Sequence, residues 1–94
     1  MPKIAEILGF ILFFWSNEGS PIEPVHVHIA HKPNKNATKF WIYSDGSAIL
    51  ESNGSNLSEK ELKRAKKVIE QYSNEIVLFW EDYFGVTAIY KNEM

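Results

Sequence analysis

The hydrophobic period of this chain changes once, at Ser58, and that change limits the fold more than any other feature. Before it, short runs rich in Val, Ile, Phe and Trp alternate at every second residue; after it, apolar residues recur at every third or fourth. A sheet-forming half followed by a helix-forming half predicts an α+β fold. In it, an antiparallel sheet of about four to five strands is packed by one broken or two C-terminal helices. At 94 residues there is material for one core, so residues 1–94 are read as a single domain. The sheet region is expected at about 3–52, the helical region at about 58–84 and a short strand at 86–90.

The runs 3–8 and 10–16 flank Gly9 and read as a tight hairpin. In the second run Phe10, Leu12 and Phe14 take one face and Ile11, Phe13 and Trp15 the other, which suits an interior strand or a dimer contact. A Gly- and Pro-bearing loop (17–24) leads into a strand at 25–32, and the strands 38–44 and 47–52 are joined by Asp45-Gly46, a favoured hairpin turn. Ser58 with Glu61 matches the capping box, and Leu57 with Leu62 the flanking staple. Leu62, Ala65, Ile69 and Tyr72 then form a helical stripe, the stretch 72–74 a break, and Ile76, Val77, Trp80, Tyr83 and Phe84 a second stripe ending at Gly85.

Composition excludes several chemistries. With no Cys there are no disulfides, thiolate metal sites or thiol nucleophiles, which fits a reducing cytoplasm. A formal charge of −2 argues against a domain that coats nucleic acid through its overall field. The apolar run 7–15 is too short to cross a bilayer, which takes about 20 residues, so no membrane role is expected.

The stretch 23–31, Glu-Pro-Val-His-Val-His-Ile-Ala-His, holds all three histidines. Alternation puts His26 and His28 on one face, opposite Val25, Val27 and Ile29, with Cβ atoms about 6.5–7 Å apart. His31 falls on the other parity and belongs to the strand end. Three uses of the pair compete. As metal ligands, His26 and His28 would hold a divalent ion with further ligands from Glu18, Glu23, Asp45 or Glu51; otherwise no cofactor is expected. As catalysts, His26 and His28 with Glu18 would act as acid and base in a ribonuclease or a metal-assisted phosphoesterase. As structural residues, they would line the solvent face of the strand or bond to the Asn17–Glu18 loop.

A binding surface is the fourth reading. If Thr38, Phe40 and Ile42 face the core, then Lys39, Trp41 and Tyr43 share the face that carries the histidines. With Lys32, Lys35 and Asn17 they would form a patch for a protein partner or, less in keeping with the net charge, for nucleic acid. The cations at 60–67 are diluted by neighbouring Glu residues and read as a solvated helix face.

The ordered pieces Phe13-Phe14-Trp15-Ser16-Asn17-Glu18, Pro24 with His26-Val27-His28-Ile29, Lys39-Phe40-Trp41 and the closing Trp80 with Asp82-Tyr83-Phe84-Gly85 resemble the bacterial domain of unknown function 4160 family over most of residues 2–85. The resemblance points to Asn17, Glu18, Pro24, His26, His28, Phe40, Trp41, Trp80, Tyr83, Phe84 and Gly85. This chain departs from the family pattern in its Ile22-Glu23 insertion between prolines and in continuing past Gly85. The resemblance implies a small bacterial protein without a settled activity, often encoded beside a protein of the domain of unknown function 2442 family, an arrangement like a toxin–antitoxin pair. The expected function is therefore a cytoplasmic interaction or regulatory module with a small cognate partner, with a homodimer also open and the His-dependent ribonuclease or phosphoesterase as the alternative.

Overall fold

A computed structural model describes residues 3–16 and 23–94. It shows an α+β fold: a five-stranded antiparallel sheet, β1 (Lys3–Ile7), β2 (Phe10–Phe13), β3 (His26–Ala30), β4 (Thr38–Ile42) and β5 (Ala48–Ser52), followed by α1 (Glu59–Gln71) and α2 (Ser73–Phe84). Each strand pairs with its neighbour in sequence, so the sheet order is the chain order and β1 and β5 are the edges. The β1–β2 connection is a two-residue turn in which Leu8 and Gly9 both take positive φ, 55° and 81°, the backbone that matches the twist of a hairpin. At the β4–β5 turn Gly46 supplies the positive φ, and the Asp45 carboxylate accepts from the N–H and hydroxyl of Ser47.

The helices lie on one face of the sheet. Leu12, Val27, Ile29, Phe40 and Ile42 point into them and meet Ala65, Ile69, Ile76 and Trp80 in the main core. The helix start follows the capping box: Glu61 N–H donates to the Ser58 hydroxyl and Ser58 N–H to the Glu61 carboxylate. The break comes at Tyr72, a single residue that ends α1 and begins α2, and Gly85 closes α2 in the left-handed conformation. Tyr72, read from its spacing as part of the α1 stripe, is instead exposed at this junction, and Val68 is buried in the stripe. Residues 86–90 form no strand of the sheet; Val25 N–H donates to the Ile89 carbonyl and Ala88 N–H to the Glu81 carboxylate. No helix among the described residues is long and apolar enough to cross a membrane.

The opposite face of the sheet is apolar too. Phe13, Ala30 and Ala37 are buried there, with Ile11 and Trp15 packed beside them. This explains why neither side of the run 10–16 is polar: β2 is an interior strand with buried residues on both faces.

Candidate functional site

The second face of the sheet collects the histidines. Register sets His26 beside Trp41 and His28 beside Lys39 on β4, while on the other side His28 pairs with Phe13 of β2. Lys39 and Trp41 thus share the face of His26 and His28, as alternation predicts. Tyr43 does not join them. It follows the end of β4 and lines a separate space with Ser73, Asn74 and Tyr90. Asn17 and Glu18, the remaining candidates, lie outside the described residues.

Neither histidine occupies a solvent face, which corrects that version of the structural reading. All five residues of β3 are buried; His26 is 0% exposed and His28 6%. The physical reason is a nest of rings. His26 meets His28 edge-on at 5.3 Å between ring centres, Trp41 at 5.6 Å and Trp80 at 5.0 Å. His28 stacks on Phe13 at 5.6 Å with Trp15 alongside. Both Nδ1 atoms face backbone carbonyls, His26 that of Pro24 at 2.9 Å and His28 that of Ala37 at 3.3 Å. A carbonyl oxygen only accepts, so Nδ1 carries the proton in each ring and donates it. These bonds tie the strand to its own entry at Pro24 and to the loop that precedes β4.

A carbonyl behind Nδ1 is also how many ligating histidines are oriented. Among the described residues, however, no three His, Asp or Glu side chains are grouped to hold an ion. Glu23 pairs with Lys39 at 3.3 Å, Asp45 is engaged by Ser47 in its turn, and Glu51 is exposed on the edge strand β5. Trp41 is half-buried under two cations, with Lys39 Nζ 4.4 Å and Lys91 Nζ 5.3 Å from its ring centre.

His31 has a different role, one that spacing along the chain does not reveal. Its ring stacks on Phe10 at 4.8 Å, its Nδ1 donates to the Gly9 carbonyl at 3.0 Å and its Nε2 to Glu61 at 2.8 Å. The Glu61 hydrogen bond, and then the Gly9 carbonyl, raise the His31 pKa above its usual 6.5. Ser58 N–H, and then His31, hold the Glu61 carboxyl below its usual 4.5. One carboxylate therefore caps α1 with one oxygen and anchors the strand end with the other.

The aromatic stretch 79–84 is only partly core. Trp80 is wholly buried against Phe14 and Phe84, but Phe79 and Tyr83 are exposed and Leu78 is 64% exposed. On the β1 side of α2, Ile4, Ile7, Leu12, Tyr72, Ile76 and Phe79 surround a groove of about 280 Å³. Of the stripe that spacing gives to Trp80, Tyr83 and Phe84, Tyr83 is therefore the member that packs outside the core.

No curated protein and no solved structure matches the chain. A family model described as a domain of unknown function (DUF4160) matches residues 9–81, a span that takes in the hairpin turn at Gly9, the ring-packed histidines and Trp80. With most of its length matched, the chain belongs to the DUF4160 family.

Proposed function

We propose that this protein is a small cytoplasmic interaction module that docks a cognate partner protein through the groove between β1 and α2. The observation that carries the reading is the pairing of an apolar groove with an unpaired sheet edge. Among the described residues β1 bonds to β2 alone, and beside it Tyr72, Phe79 and Tyr83 stay exposed where a monomer gains nothing from exposing them. α2 carries Glu75, Glu81 and Asp82 and no Lys or Arg. The complementary occupant is a protein with an apolar segment rimmed by basic residues. The candidate we propose is a small protein of the domain of unknown function 2442 family encoded by an adjacent gene, in a toxin–antitoxin-like arrangement.

Burial of the pair speaks against the ribonuclease or phosphoesterase alternative, because His26 has no exposed surface and His28 only 6%, too little for both rings to reach a phosphodiester. Co-expression with the product of the adjacent gene tests the proposal. A single complex on sizing that Phe79→Glu dissociates, with the variant still folded by circular dichroism, is the expected result. Clean separation of the two wild-type proteins, or self-association of this chain through the same groove in place of the complex, overturns it.

A further inference from the structure

A second space, separate from that groove, opens between the β4–β5 turn, the start of α2 and the C-terminal segment. It holds about 360 Å³, within the range of small-molecule sites, and is lined by Ile42, Tyr43, Ser73, Val77, Leu78 and Tyr90 with Ser44, Gly46 and Asn74 at its rim. Its outer wall is fixed from beyond the region that the family model covers. Ser44 N–H donates to the Asn92 side-chain oxygen at 3.0 Å, and the Asn92 amide donates back to the Ser44 hydroxyl at 2.9 Å, which seats Tyr90 over the space.

Ser73 supplies the chemistry. It is the first residue of α2, whose N-cap Tyr72 gives no side-chain cap, and it is only 7% exposed. Among the described residues its hydroxyl has no hydrogen-bond partner. The oxygen points toward Gly46, 3.0 Å from where a Cβ on that glycine would sit, so it faces the same space that Gly46 lines. A hydroxyl that borders this space at the donor end of a helix, with no partner among the described residues, can donate to an acceptor oxygen that enters it. No Asp, Glu, Lys or Arg is among the lining residues, and the carbonyl end of α1 abuts the start of α2, so nothing there favours a charged ligand over a neutral one. Ile42, Val77, Leu78 and the two tyrosines form apolar walls suited to a ring.

We propose that this space binds a small uncharged aromatic ligand bearing a carbonyl oxygen, with Ser73 as the hydrogen-bond donor and Tyr90 as the closing wall. Benzamide titrated into ¹⁵N-labelled protein probes it, with benzoate as the charged counterpart. Saturable amide shifts confined to Gly46, Ser73, Asn74 and Tyr90 are expected. Ser73→Ala should weaken binding about fivefold, the worth of one neutral hydrogen bond. Tyr90→Ala should weaken it further while the α1 and β3 resonances stay in place. Shifts that do not saturate, that map elsewhere or that are unchanged in both variants overturn the site; tighter binding of benzoate overturns the uncharged ligand.

Discussion

Replacing His26 by Ala tests whether the histidine face is packing or chemistry. The ring is wholly buried, donates to the Pro24 carbonyl at 2.9 Å and fills the angle between Trp41 and Trp80. Removing it strands a carbonyl oxygen, which costs about 1–3 kcal/mol, and leaves a void where ring-to-alanine changes cost about 3 kcal/mol or more. Allowing for partial collapse, His26→Ala should destabilise the protein by about 3–5 kcal/mol, a large part of the roughly 5–15 kcal/mol that holds a small domain together. In a chain of this size that lowers Tm by about 15–30 °C. His26→Asn keeps a donor close to the Nδ1 position and should recover the carbonyl's share, leaving about 2–3 kcal/mol. Urea titration followed by tryptophan fluorescence reads both, as midpoint shifts at unchanged slope. A His26→Ala midpoint equivalent to less than about 0.5 kcal/mol, the range of surface substitutions, would refute the packing argument and return the pair to catalysis.

Three further outcomes follow from other contacts. The His31–Glu61 pair stabilises only while the ring is charged and the carboxylate ionised. Because the His31 pKa is raised, its contribution is complete below 6.5 and is lost as pH rises through the raised value; because the Glu61 pKa is lowered, its contribution is complete above 4.5 and is lost as pH falls through the lowered value. Wild-type stability minus that of His31→Gln should therefore peak between pH 4.5 and 6.5 in urea titrations, and a flat difference would remove the pair from the account. Gly54→Ala should cost about 3 kcal/mol or more, since the new Cβ would fall 1.4 Å from the Asn36 carbonyl oxygen, and wild-type stability in that variant would show that the two loops are not in contact. Ser58→Ala should cost about 1 kcal/mol and lower the exchange protection of the first turn of α1 alone.

The sheet-then-helix order, both hairpin turns and the α1 cap were legible because each is encoded locally: a change of period, a Gly at a turn, a Ser and a Glu three residues apart. Alternation also placed His26 and His28 on the face of Lys39 and Trp41. What it could not give was burial. Period two separates faces without saying which is wet, and here Phe13, Ala30 and Ala37 make the second face a small core, so the histidines are enclosed. His31 with Glu61, and Gly54 with Asn36, are contacts between distant segments and leave no mark on local spacing. The exposure of Tyr83 within its stripe was hidden for a related reason, because an aromatic at helical spacing looks the same whether a strand, a partner or solvent lies across from it.

The meander, in which every strand pairs with the one before it, has a consequence for synthesis. Strands can zip together in the order in which they leave the ribosome, with no late crossover to wait for. The helix-facing side of that sheet has no such luck. Leu12, Val27, Ile29, Phe40 and Ile42 remain uncovered until α1 and then Trp80 of α2 arrive. A nascent chain halted near Tyr72 would carry a complete sheet with half its cover, the form most prone to stick to others of its kind. Translation of the last quarter of the message is thus the step on which its solubility turns.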